Sequence, residues 1–383
     1  ARQRDPGNPQ VLVNLAVALK DLRRLDEAMG CLDEALHVSP ELPAARFDRS
    51  LIHLLRGELG AGWDDYEWRL RNGPAPRPIA LNRWDGTPLA GSSILVLAEQ
   101  GIGDQVMFGS CLPEVAQEAA GCVVECDPRL VPLFERSFHN VTPIAQSTDP
   151  STNPSVPPSG VYDFLGSLPR FLRRNVEDFP ATAAYLRPEP GLVAKWRSRF
   201  ARFGGALKVG ISWCGGKDAE TRRQRSIPLD LWRPIVQVPG VRFVNLQYGR
   251  SAAEAAVIRD RFSIPLDDGA DCDPLLDLDD FTAKIAALDL VVSVDNSTVH
   301  LAAAIGRPVW TLLPFCSDWR WMLERDTTPW YPTMRLLRCR SHDGWTELLQ
   351  RTARLLTAAT FSRVLPTAAN QRTAEARAGA ECW

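Results

Sequence analysis

Asp295, Asn296, Ser297 and Thr298 stand in a row between an apolar run, LVVSV, and a helix-forming stretch rich in small residues, STVHLAAAI. All four side chains carry an oxygen able to cap a helix. The first turn of a helix leaves amide N–H groups unpaired, and its dipole favours negative charge. This turn is therefore suited to grip an anion such as a phosphate, with the amides of Ser297, Thr298 and Val299 aimed at it. Simple capping of a structural helix, a matter of about 1 kcal/mol, accounts for the same residues equally well. His300 follows directly. It either donates to a diphosphate or a sugar held at the turn, or it is a satisfied structural residue.

A second turn of the same kind lies in EQGIGDQVMF, residues 99–108. Gly101 and Gly103 permit close backbone approach and positive φ, and Asp104 follows at the helix start. No third glycine completes a dinucleotide-binding fingerprint. A carboxylate at this place suits a general base that takes a proton from an attacking hydroxyl, a contribution of roughly 10²–10⁴ in rate. Taken alone, it reads at least as well as a cap. The third segment, WCGGKDAETRRQRSIPL (213–229), joins Gly215 and Gly216 to Lys217, Arg222, Arg223 and Arg225. A cationic loop after a strand suits a departing diphosphate, whose charge must be stabilised. Lys217 and Arg225 carry that expectation, whereas solvation explains Arg222 and Arg223 as well. Asp271/Asp273 and Asp277/Asp279 mimic metal-binding pairs, but both precede a helix whose dipole they favour, so they read as caps and no metal site is expected. Trp319, Trp321, Trp330 and Tyr331 either wall the ligand pocket or pack in the core.

Strands and helices must stand behind these turns. ILVLAE reads as a strand, 104–120 as a helix, CVVEC as a strand and 128–138 as a helix. A second set follows: the strands LKVGISW and VRFVNLQ, the helix DDFTAKIAALD, the strand LVVSV, the helix STVHLAAAI and the strand PVWTLLP. Such alternation predicts parallel βαβ units. Two sets in tandem, joined near 188–196, predict an α/β fold of two facing Rossmann-like domains, with ligands at the carboxyl ends of the strands. The Ser- and Pro-rich segment 146–160 is a surface loop. Upstream, Pro6, Pro40 and Pro74 recur at 34-residue spacing. Residues 9–42 place Leu15, Ala16, Leu19, Ala28, Leu32 and Ala35 where two antiparallel helices would cross. This resembles a tetratricopeptide repeat. The next unit keeps Ser50, Gly57, Gly62 and Tyr66 but has Arg69 where a small residue is expected. Downstream, 346–359 is an amphipathic helix and 361–383 a polar tail of disordered composition.

Composition narrows the function classes. The 383 residues carry 44 basic and 46 acidic side chains, so no electrostatic footprint for nucleic acid exists. No apolar run is long enough to span a membrane. The opening ARQRDPGNP lacks both an initiating Met and a signal core, and reads as a fragment without its natural start. Nine irregularly spaced cysteines fit neither a disulfide framework nor a zinc site, and predict small core residues in a reducing cytoplasm.

The phrases LNRWDGTPLAG, LAEQGIGDQVMF, LGSLP, VGISWCGG, RSIPLDLW, SVDNSTVHLAAAIGRPVWTLLP and DWRWMLERDTTPWYP resemble the bacterial tetratricopeptide-repeat glycosyltransferases, whose catalytic part is similar to the heptosyltransferase family. The resemblance implies a GT-B fold and inverting, metal-independent transfer from a nucleotide-diphosphate sugar, with no cofactor. It implies that Asp104 is the base, that Arg225 stands where a phosphate-binding Lys is usual, and that Asp295 and His300 fall in the donor motif. Cys214 departs from the polar or small residue common at its place, and the first Rossmann half is short.

The expected organisation is a repeat segment over 1–76, an acceptor-side domain over 77–190, a nucleotide-sugar domain over 191–345, and a helix and tail over 346–383. The expected function is a cytoplasmic glycosyltransferase acting on a hydroxyl, with a protein or peptide acceptor presented by the repeats. The donor is held by Lys217, Arg225, Asp295, Asn296, Ser297, Thr298 and His300, with the glycines 101, 103, 215 and 216 shaping the phosphate loops. Two alternatives remain: a non-catalytic repeat scaffold with a relic or sensory sugar site, and a heptosyltransferase acting on lipopolysaccharide.

Overall fold

A computed structural model describes residues 7–73, 77–147, 160–216, 219–248, 260, 266–267 and 272–362. Lys217, Asp271, most of the 146–160 loop and the tail from 363 lie outside the described residues.

Four helices come first: α1 (Pro9–Asp21), α2 (Leu25–Val38), α3 (Pro43–Arg56) and α4 (Leu59–Tyr66). Pro9 and Pro43 each open a helix at a position where the missing N–H costs nothing. Leu12, Ala16 and Leu19 of α1 are buried, as are Ala28, Leu32 and Ala35 of α2. Helical spacing puts each set on one face. A Cβ on Gly62 would meet the Leu54 side chain at 2.6 Å, so glycine lets α3 and α4 cross closely. Arg69, the misfit of the second unit, ends this segment in a pocket of acceptors: its guanidinium bonds Glu99 at 2.8 Å, Glu67 at 3.0 Å and Ser167 at 2.7 Å. Its long side chain thus ties the helical segment to Glu99 and Ser167.

The first sheet contains β1 (Asn82–Arg83), β2 (Ser93–Leu97), β3 (Gly121–Cys126), β4 (Val141–Ala145) and β5 (Gly160–Phe164), in the order β1-β5-β2-β3-β4. The second contains β6 (Leu207–Ser212), β7 (Val241–Asn245), β8 (Leu266–Asp267), β9 (Leu290–Val294), β10 (Val309–Leu313) and β11 (Met334–Arg338), in the order β11-β10-β9-β6-β7-β8. All pairings within both sheets are parallel. Every residue of β9 and β10 is buried, as a parallel strand covered on both faces requires. In each sheet the chain winds outward and then returns to the other side of its starting strand. The switch points fall between β2 and β5 and between β6 and β9, where doubly wound sheets bind ligands.

The expected helix 104–120 is two helices, α5 (Ile102–Gly109) and α6 (Leu112–Glu118). Pro113 sits in the first turn of α6 and cannot donate back into α5. One core joins α1–α4, the first sheet and one face of the second sheet. A separate core fills the opposite face of the second sheet beneath the helix Trp345–Ser362. Cys31, Cys111, Cys122, Cys126 and Cys339 are buried and free. Burial pushes the thiols of Cys122 and Cys126 up to about 12, so they stay protonated and inert.

The helical segment is fused to both sheets. Trp63 donates to the carbonyl of Arg173 at 2.8 Å, and Tyr66 donates to Gln100 at 3.1 Å. Across the other unit, the Leu323 amide donates to the Leu55 carbonyl at 3.0 Å. Trp319 meets Trp63 edge-on at 5.5 Å, and both contact Phe108 of α5. The tryptophan cluster is thus interior packing, with Trp321 fully buried.

Candidate active site

A cleft of about 630 Å³ opens between the two sheets. Gly101, Gly103 and Asp104 line it from the end of β2, and Gly216, Arg225, Asp295, Asn296, Ser297, His300 and Arg320 from the second unit. Two helix starts meet here. A Cβ on Gly103 would stand 3.0 Å from the His300 ring and 3.6 Å from Ser297 Cα. Gly101 and Gly103 both have ordinary negative or unremarkable φ, so the expected positive φ is absent and close approach is the reason for glycine at 103. Gly215 is likewise a close-approach residue, its virtual Cβ 2.5 Å from the Asp295 carbonyl oxygen, and it packs behind the cleft wall. Gly216 alone of the four adopts the left-handed region, at φ 98°.

Charges form one chain across the cleft. Asp104 Oδ1 accepts from Arg320, with Nε at 2.9 Å and Nη2 also bound. Arg320 donates onward to Asp318 at 2.6 Å, Asp318 accepts from Arg225 at 2.8 Å, and Arg225 lies 3.3 Å from Asp295. Burial would raise Asp318, but Arg320 and Arg225 pull its carboxyl well below the usual range. Three carboxylates therefore share two guanidiniums. Arg225 reaches the cleft as expected, but two carboxylates already neutralise it, which weakens its role as a phosphate clamp.

The turn at 295–300 is more fully used than its sequence suggests. Asn296 caps the helix Ser297–Ala304, accepting from the Thr298 amide at 3.0 Å. Its Nδ2 donates to Ser212 Oγ at 2.8 Å and to the Cys214 carbonyl at 3.1 Å, tying the turn to the end of β6. The Val299 amide donates to the Asn296 carbonyl at 3.2 Å. Thr298 is fully buried and does not line the cleft. The amides expected to face an anion thus reduce to that of Ser297, beside Tyr248.

His300 is buried and stacks on Trp321 at 5.2 Å. Burial, opposed by Asp295, lowers its imidazole to about 4, so the ring is neutral at pH 7. Its Nδ1 lies 2.9 Å from the Tyr331 hydroxyl. Tyr331 is hydrogen-bonded in turn to Tyr185, which donates to the Val106 carbonyl at 2.8 Å. A carbonyl only accepts, so the proton direction is fixed along the relay. Tyr185 spends its proton on Val106, Tyr331 donates to Tyr185, and His300 Nδ1–H donates to Tyr331. Nε2, on the Gly103 side, is left with a lone pair. Toward the cleft His300 therefore presents an acceptor, whereas the sequence reading expected a donor to a diphosphate or a sugar.

Of the two Asp pairs before Phe281, Asp271 lies outside the described residues, Asp273 accepts from the Leu275 amide at 2.9 Å, and the second pair caps a helix and forms an ion pair. Asp277 caps the helix Leu278–Ala286, Asp279 pairs with Arg136, and Asp280 accepts from Trp196 at 2.8 Å. Sequence reasoning missed Arg320, Asp318, Tyr185 and the relay role of Tyr331. Arg320 and Asp318 stand inside the quoted phrase DWRWMLERD, and an Arg between two Trp was the available signal.

Residues 246–323 match the model of glycosyltransferase family 9 (heptosyltransferase). The chain is 35% identical over 363 residues to Protein FlbA of Caulobacter vibrioides, which covers 90% of the chain but only 60% of FlbA. Among solved structures it is similar to a glycosyl transferase family 9 protein from Veillonella parvula (11% identity, 66% of this chain and 87% of that one, TM-score 0.49). It is also similar to the ADP-heptose lps heptosyltransferase II of E. coli (16% identity, 71% and 99%, TM-score 0.48). The matched stretch includes Tyr248, Asp295, Asn296, Ser297, His300 and Arg320, which line the cleft on the side opposite Asp104. Among the described residues no helix is long and apolar enough to cross a membrane.

Proposed function

We propose that this protein transfers a sugar from a nucleotide-diphosphate donor to an acceptor hydroxyl, with inversion and without a metal ion. The observation that carries the reading is the meeting of Asp104 with the Ser297–His300 helix start across a cleft whose far wall lies in the stretch similar to the family 9 model. In this reading Asp104 takes the proton of the acceptor hydroxyl through Oδ2, while two hydrogen bonds from Arg320 hold Oδ1 and fix the carboxylate plane. The Ser297 amide and Arg225 stabilise the departing diphosphate, and Lys217, outside the described residues, is assigned to it from the sequence. Neutral His300 accepts a sugar hydroxyl at Nε2. The helical segment, as a tetratricopeptide-repeat unit, presents a protein or peptide acceptor, and the reaction takes place in the cytoplasm.

The test is transfer, or slow donor hydrolysis, across a panel of nucleotide sugars with the wild type and Asp104→Asn. The substitution removes the base but keeps an acceptor for Arg320, and should lower turnover by roughly 10²–10⁴. Unchanged turnover would take Asp104 out of the reaction. A second reading, a heptose donor with a glycolipid acceptor, is favoured by the description of the matching family model. A panel including ADP-heptose decides between donors.

A further inference from the structure

A second cavity, about 570 Å³ and ringed by arginines, shares no lining residue with the cleft. It lies where the turn between α1 and α2 meets the edge strand β11 and the helix Trp345–Ser362. Arg23 comes from that turn, Arg325 from the loop before β11, Arg335, Arg338 and Arg340 from β11 and its end, and Arg351 from the helix. The acidic residues on its wall are Glu324 and Asp326, both exposed. Arg340 pairs with Glu347 at 3.2 Å. Among the described residues no ion pair holds Arg23, Arg325, Arg335, Arg338 or Arg351.

Neutral acceptors hold the most enclosed of these guanidiniums. Arg338 donates to the Arg325 carbonyl at 2.8 Å, Ser317 Oγ at 2.7 Å and the Trp321 carbonyl at 2.5 Å. Arg351 donates to the Arg338 carbonyl at 2.8 Å. Arg335 Nε is buried without a hydrogen-bond partner. The contrast with the cleft is sharp, because there Arg225 and Arg320 each contact two carboxylates. Asp326 offsets Arg338 and Glu347 offsets Arg351 only in part, and half-buried charges so incompletely compensated are costly to maintain. Burial, with repulsion from Arg23 and Arg325 and against the attraction of Asp326, pushes the Arg338 guanidinium down to about 10. The backbone around the cavity is strained as well. Arg23 and Glu324 line it with φ of 59° and 54°, and Met322 beside them has φ 50°. Such left-handed residues persist where surrounding structure over-determines them, and they cluster at ligand sites.

We infer that this cavity binds a small polyphosphate anion, at a site separate from the sugar-transfer cleft. Guanidinium forks match phosphate oxygens in pairs, and several converging forks ask for a ligand with several negative charges rather than one. The volume falls within the range of small-molecule sites. The shared chemistry is a diphosphate group, which either inorganic pyrophosphate or a nucleoside diphosphate supplies.

Calorimetric titration of the full chain with pyrophosphate, and separately with a nucleoside diphosphate, tests the inference. Arg225→Gln perturbs the cleft and should leave pyrophosphate binding within about twofold, whereas Arg335→Gln and Arg351→Gln should each weaken it roughly tenfold or more. Thermal melts guard against a folding artefact. Arg351→Gln relieves repulsion, so in chloride it should melt no lower than the wild type, yet gain less on addition of pyrophosphate. A nucleoside diphosphate that binds more tightly, and is weakened by the same two variants, identifies a nucleotide as the source; equal affinity means that only the diphosphate is read. No binding by the wild type, loss of binding in Arg225→Gln, or indifference to Arg335→Gln and Arg351→Gln overturns the inference.

Discussion

Lowering the pH should cost this protein stability through one identifiable ring. His300 is lowered to about 4 in the folded state, chiefly by burial. In an unfolded chain its value is about 6.5. The folded value lies below the unfolded one, so as pH falls the unfolded state takes the proton first. The contribution is therefore intact above about 6.5 and is lost progressively down to about 4. Near pH 4.5 the loss works out at about 2.5 kcal/mol relative to pH 8, approaching about 3.4 kcal/mol below the folded value. Urea denaturation of the wild type and His300→Gln at the two pH values isolates the ring, because other groups titrate in both proteins and cancel in the difference. The wild type should lose about 2.5 kcal/mol more than the variant between the two conditions. A difference between the proteins that stays the same at both pH values would mean that His300 is not held neutral by burial, and the assignment of Nε2 as an acceptor would fail with it.

The relay behind His300 makes a second prediction. ¹⁵N shifts should show the Nδ1–H tautomer in the wild type, while Tyr185→Phe frees the Tyr331 proton and admits the Nε2–H form; the same tautomer in both would break the relay. Gly215→Ala places a Cβ against the Asp295 carbonyl oxygen at 2.5 Å, and backbone is slow to yield. Its urea midpoint should fall by the equivalent of about 1–3 kcal/mol, and an unshifted midpoint would show that the β6 and β9 turns are not wedged together.

Much of the architecture can be read in the chain because it depends on local pattern. Apolar β-branched runs such as LVVSV have few other uses than a buried strand, and both Gly-Asp and Asn-Ser turns announce a helix start. What escaped has a physical reason in each case. VTPIA carries Pro143 and lies at a sheet edge, where a proline is tolerated but the strand signal is weak. MRLLR is short and flanked by arginines, again an edge. Arg320 was hidden because its meaning lies in Asp104, 216 positions away, and no periodicity encodes a contact of that separation. Thr298 looked like an anion ligand because its type and place are right. Only the bonds made by Asn296 reveal that its amide is already spent. Lys217 lies outside the described residues, so its place in the site rests on sequence alone.

The anchoring of the helical segment bears on how the cleft works. Tyr66 and Trp63 grip the first sheet's unit, and Leu55 grips the second through a backbone bond to Leu323. A body bolted to both jaws acts as a splint. Wide hinge opening would have to break the Trp63–Trp319–Phe108 contacts before the jaws could part. In the proposed reaction, substrates would exchange past the loops at the rim, and an acceptor docked on the helices would keep a fixed distance from Asp104.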